Sequence, residues 1–151
     1  NFSMKQIIFL VIVMVAGYSV ALSQCEKKYK LKTERIFQVQ EDGSEGEEIP
    51  FTADLTISKD SISISLVLPD GTTAEISGKH TEKNCKMNAD YSEGTIECKT
   101  EVEINGGGQS KQAKMSFTIE SKAGKMKIFG VPDDQPGEKI CFQIKEKEEV
   151  K

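Results

Sequence analysis

From Tyr29 to Ile144 the chain alternates apolar and polar residues with a period of two, in run after run closed by glycine, proline or short polar residues. That period belongs to a pleated strand with one face buried and one in water, and no helical stripe competes with it in any window. Tyr29, Leu31, Thr33, Arg35, Phe37 and Val39 share one face of the first run, with Lys28, Lys30, Lys32 and Glu34 opposite. Phe51, Ala53, Leu55 and Ile57 repeat the pattern, followed by Ile62, Ile64, Leu66 and Leu68. Pro69-Asp70-Gly71 then reverses the chain, the proline presetting φ and the glycine accepting a positive one. Ala74 and Ile76 continue, a shorter strand spans Thr81 to Met87, and Ile96, Cys98, Thr100, Val102 and Ile104 make the cleanest alternation of all. Runs at Met115–Ile119, Met126–Gly130 and Ile140–Ile144 complete the pattern. The expected fold class is all-β: a single antiparallel meander of about eight to nine strands. A meander of that length closes into a barrel or folds over as two sheets, and closure is favoured because it leaves no edge exposed.

At 151 residues, with 37% hydrophobic and 29% charged, the chain suits one soluble globular domain. A formal net charge of −4, spread over interleaved acidic and basic residues, offers no positive stripe for a phosphate backbone, so nucleic acid is not an expected partner. Residues 4–23, MKQIIFLVIVMVAGYSVALS, have one lysine, an apolar run and then small residues at Ala21 and Ser23, the layout of a secretory signal peptide. The apolar run from Ile7 to Ala16 is short for a membrane span. Asn1 to Ser3 precede Met4 and read as upstream sequence. The expected organisation is therefore a signal peptide over 4–23, one all-β domain over 25–146 and a charged tail over 147–151, with a secreted or periplasmic location.

Export changes how the four cysteines read, since an oxidising compartment lets them pair. A hairpin with its tip near Tyr91 and Ser92 sets Cys85 opposite Cys98, at the separation a disulfide needs. Cys25 and Cys141 would then join the first and last strands. Four cysteines allow three pairings, and sequence alone does not choose among them. Cys25 has a second reading: Leu22-Ser23-Gln24-Cys25 resembles a bacterial lipoprotein box, although Gln24 stands where a small residue is usual. A membrane is an expected partner only through lipidation at Cys25.

The search for catalysis is negative. His80 is the one histidine, and no serine in a nucleophile-elbow context or free cysteine is placed to work with it. It reads as a polar residue at a strand junction. The cysteines lack the paired short spacings of a zinc site, and the acidic stretch Glu41 to Glu48 matches no EF-hand loop. No metal, no cofactor and no enzymatic activity are expected.

One position stands out. Arg35 is the only arginine, and strict alternation places it on the same face as Leu31 and Phe37. A cation inside a barrel is costly unless paired, so it could await an acidic ligand head group, with Tyr29, Thr33 and Thr100 as polar companions. The competing reading is a β-bulge near Glu34 that turns Arg35 outward.

Strand number, short hairpins and the length left after a signal resemble the calycin barrels, the lipocalins and fatty-acid-binding proteins. The chain has no tryptophan for the lipocalin Gly-x-Trp motif, and an acidic loop stands where fatty-acid-binding proteins insert two helices, so no family residue carries over. The resemblance implies carriage of a small hydrophobic or amphipathic ligand, with Ala53, Ala74, Gly78, Thr100 and Gly130 as positions that would leave room. The alternative is a structural or interaction module, secreted or surface-attached, whose partner is another exported protein and whose interior is filled by Phe51, Leu55, Ile64, Leu66, Ile96, Met115, Phe117 and Phe142.

Overall fold

The structure, a computed structural model, describes residues 25–151; the signal-like segment 4–23 lies outside the described residues. Nine strands follow one another: β1 (Lys28–Val39), β2 (Glu45–Ile49), β3 (Thr52–Ile57), β4 (Ser61–Val67), β5 (Thr73–Met87), β6 (Gly94–Gly106), β7 (Gln109–Lys122), β8 (Lys125–Pro132) and β9 (Ile140–Val150). Each pairs antiparallel with its neighbour in an up-and-down meander, and β1 pairs with β9 to close the barrel. Pro50 divides what would be a single strand, because a residue without N–H cannot continue the ladder. β2 therefore pairs with the second half of β1, as in Ile36 opposite Ile49, and β3 with the first half, as in Leu31 opposite Leu55. Eight strand positions thus surround one interior.

Alternation fills that interior as expected. Leu31, Leu55, Ile62, Ile64, Ile96, Val102, Phe117, Ile119 and Ile128 form one continuous buried cluster. At roughly 1.5–3 kcal/mol for each fully buried large apolar side chain, this cluster is the main source of stability. Two inward glycines, expected to leave room, do not. A Cβ on Gly78 would lie 2.0 Å from the Glu101 carbonyl oxygen, and one on Gly130 would lie 3.0 Å from the Phe117 ring, which covers the glycine. Ala53 and Thr100 are equally enclosed, at 3% and 2% exposure.

The ladder is irregular in three strand pairs: β1 with β2, between Phe37 and Val39, β1 with β9 and β5 with β6; the last two correct the sequence reading. In β1 the register against β9 shifts between Lys32 and Thr33 and again between Thr33 and Arg35. A bulge inverts the faces beyond it, so Ile36 enters the core while Phe37 packs outside, opposite Cys141. In β5 the register against β6 shifts between His80 and Glu82, and Cys85 comes opposite Ile96 while Cys98 comes opposite Lys83. Finally, β9 runs on through Lys147 to Val150, each paired with β1, so the residues expected as a charged tail belong to the barrel wall. Alternating lysine and glutamate there meet the lysines of β1 across the ladder, as Lys32 meets Glu146 at 3.9 Å.

Candidate functional site

The two ends of the barrel are built differently. At one end lie Cys25 and the connections 58–60, 88–93 and 123–124; at the other lie the loops 40–44, 68–72, 107–108 and 133–139.

The first end is sealed. Asn88 sets the β5–β6 turn, its Oδ1 accepting from the N–H of Ser92 at 2.9 Å and of Glu93 at 3.1 Å. The turn carries Tyr91, at φ 57°, back over the core, where its ring meets that of Tyr29 at 4.7 Å. Lys147 Nζ donates to the carbonyls of Asp90 and Tyr91 at 3.1 and 3.2 Å, and the Gly124 N–H donates to Ser92 O at 3.1 Å, fastening the turn to two neighbouring elements. Burial pushes the Tyr91 phenol up to about 12. A disulfide joins Cys25 to Cys85, with Cα atoms 6.2 Å apart, and Lys83 Nζ donates to the carbonyls of Cys25 and Lys59 at 2.7 and 3.0 Å.

This bridge replaces both expected pairings. Cys85 and Cys98 miss each other because the Asn88 turn sets Met87 opposite Gly94, two positions away from the register that would oppose them. Cys25 and Cys141 miss because they sit at different ends and on different faces: Cys141 points outward between Phe37 and Phe129. Cys98 and Cys141 are free and buried, and burial pushes each thiol up to about 11. The Cys25 sulfur, held in the bridge, offers no thiol for a lipid anchor. A disulfide is compatible with a secreted or periplasmic location.

Beside the bridge a crevice of about 310 Å³ is lined by Glu26, Lys59, Asp60, His80 and Lys83 among others. His80 Nδ1 lies 2.8 Å from Thr100 Oγ1, and the His80 backbone N–H donates to Asp60 O at 2.8 Å. Burial, then the charge of Lys83, lower the His80 pKa. The ring thus ties β5 to the buried hydroxyl of β6, while the backbone of the same residue ties it to the β3–β4 turn.

The second end is open. Ile49, Phe51, Leu66, Ile76, Ile104, Ala113, Met115 and Ile140 all pack against the core cluster yet remain only half-buried. They come from β2, β4, β5, β6, β7, β9 and the β2–β3 link, so the ring they form lines nearly the whole circumference. Below it, Leu55, Ile64 and Val102 are buried and make the floor. The result is an apolar mouth in the sense of a ring of partly covered side chains above a packed floor.

The four residues expected to bind a ligand head group do not converge. Arg35 lies on the outer surface, its Nη2 3.2 Å from Glu45 Oε2 and its Nε 3.3 Å from Glu48 Oε1, with the guanidinium 5.3 Å from the Phe37 ring centre. The bulge beside it makes the outward position possible, and exposure with two carboxylates avoids the cost of a buried cation. Those hydrogen bonds to Glu45 and Glu48 also raise its pKa. Tyr29 is spent in the sealed end, Thr33 Oγ1 donates to Ala53 O at 2.9 Å and accepts from Ala53 N–H at 3.1 Å, and Thr100 holds His80. The half-buried ring was missed by sequence reading, although its members share one signal: most are the inward apolar residues nearest the loops of that end. No family model, no curated protein and no solved structure matches the chain. The architecture itself, a closed antiparallel barrel of eight strand positions, is consistent with the calycin plan.

Proposed function

We propose that this chain is an exported barrel that receives a small hydrophobic or amphipathic ligand in the mouth at its open end. The observation that carries the reading is the asymmetry of the barrel. One end is closed by Tyr91, a disulfide and a fastened turn, while the other presents a ring of half-buried apolar side chains from nearly every strand. Apolar side chains left partly in water gain when a ligand covers them, and ligand sites are commonly apolar with few polar groups. Likeness to lipocalins and fatty-acid-binding proteins supports the reading as architecture only.

A second reading, a filled module that binds another exported protein, has its own support in the enclosed Gly78 and Gly130. It differs in what the mouth does. Titration with the neutral dye N-phenyl-1-naphthylamine separates the two: ligand binding requires saturable fluorescence enhancement that is lost in Ala113→Trp, where the indole occupies the mouth. A wild-type barrel that takes up no dye at high micromolar concentration refutes the carrier reading and leaves the filled module.

A further inference from the structure

We infer that the Cys25–Cys85 bridge is exchanged from within by Cys98, and that the Cys85 thiol so released is a modification site for small external disulfides. Three sulfurs gather toward the sealed end. Cys98 faces Lys83 across the β5–β6 ladder and Cys85 faces Ile96, so Cys85 and Cys98 are diagonal neighbours, about 7–8 Å apart at Cα. Lys83 ties the third cysteine to this pair: its Nζ donates to the Cys25 carbonyl at 2.7 Å, and the same ammonium is near enough to Cys98 for their charges to act on one another. Cys25 and Cys98 are both buried, at 8% and 4% exposure, whereas Cys85 is exposed.

These placements set the direction of the exchange. The Cys98 thiolate attacks the Cys25 sulfur, a Cys25–Cys98 bond forms, the Cys25–Cys85 bond breaks and its electron pair leaves on Cys85. One thiolate and one disulfide become another thiolate and another disulfide, so no oxidant or reductant is consumed. The leaving group is the sulfur of the exposed residue, where water solvates the charge. Cys25 precedes β1 and belongs to no strand, so turning its side chain from Cys85 to Cys98 breaks no ladder pairing. The released Cys85 thiolate then attacks an external disulfide, bonds to one half and expels the other half as a thiolate. The proton on Cys98 holds the exchange back: burial pushes that thiol up to about 11, against the pull of the Lys83 ammonium, and near neutral pH its thiolate is scarce. Cys141 is an internal control, free, buried and likewise pushed up to about 11, but on the outer face near the opposite end of the barrel.

The test incubates the intact barrel with glutathione disulfide at about pH 8 and about pH 10, quenches with acid and maps tryptic peptides without reduction, with circular dichroism recorded at both values. The expected map carries one glutathionyl group on the Asn84-Cys85-Lys86 peptide together with a new link between the Cys25 and Cys98 peptides. Both should form about tenfold faster for each pH unit, following the Cys98 thiolate, and both should be absent in Cys98→Ala. A glutathionyl group on Cys98 with the Cys25–Cys85 bridge retained overturns the inference. So does labelling of Cys141 as fast as Cys85, which would report opening of the barrel, or labelling of Cys85 that persists in Cys98→Ala. A wild-type map unchanged at about pH 10 overturns it without recourse to any variant.

Discussion

Replacing Cys25 and Cys85 together by serine removes the one bridge of the described barrel, and its worth follows from the length of chain it closes. The two cysteines are 60 residues apart in sequence. In the chain-entropy model a loop of that length is worth about 4 kcal/mol at 25 °C. For a domain of this size that corresponds to a fall in melting temperature of about 12–16 °C. Urea melts followed by circular dichroism measure the loss, and a tryptic map under non-reducing conditions identifies the bridge. The expected map links the Asn84-Cys85-Lys86 peptide to the one containing Cys25. Thiol counting adds an independent check: Cys98 and Cys141 are buried with thiols pushed up to about 11, so the native protein should be inert to alkylation near pH 8 and the denatured one should show two thiols. A loss below about 1 kcal/mol, or a map joining Cys85 to Cys98, would refute the reasoning.

Gly78→Ala drives a Cβ into the Glu101 carbonyl of the paired strand and should cost at least about 3 kcal/mol in a urea melt, because backbone cannot move aside without breaking the ladder. Gly130→Ala meets only the Phe117 ring at 3.0 Å and should cost about 1–2 kcal/mol; a reversed order would show that the β5–β6 approach is looser than described. His80 has a folded pKa below its ordinary value, so the unfolded chain binds the proton first. Stability is therefore expected to be full above about pH 6.5 and to fall as pH drops from there toward the lowered folded pKa. His80→Gln should flatten that segment of a pH series of urea melts, and an unchanged slope would count against the buried His80–Thr100 pair. Arg35→Ala should leave dye binding intact, since the guanidinium lies outside the barrel; loss of binding would place it inside after all.

Strand positions were legible because alternation and turn residues are local. The Pro69-Asp70-Gly71 reversal falls between strands as expected, with Gly71 at φ 87°. The alternation also named the buried residues of β3, β4 and β6 correctly. It failed where a single extra residue intervenes. Arg35 and Phe37 were assigned inward by counting in twos from Tyr29, and the extra residue Glu34 in β1 inverts the count after Thr33, as the competing reading of a bulge near Glu34 had it. The cysteine pairing failed for a related reason: shifting a hairpin by two positions keeps every side chain on its face but changes every partner, and Asn88 chose the shift. The candidate site was the least legible part, because the apolar residues of the mouth and those of the core follow the same alternation.

The amino-acid sequence by itself determined that this chain forms antiparallel strands, roughly where each begins and ends, and which face of most of them seeks the interior. Those properties depend on neighbours along the chain: a two-residue period, a fixed φ at proline, a positive φ at glycine. Only the tertiary structure decided which cysteines meet, that Arg35 faces water with Glu45 and Glu48, and that one end of the barrel is sealed while the other stays open. These depend on register and on which side chains arrive at the same rung from strands far apart in sequence. A bulge of one residue or a slip of two alters them without changing the local pattern that formed the strands.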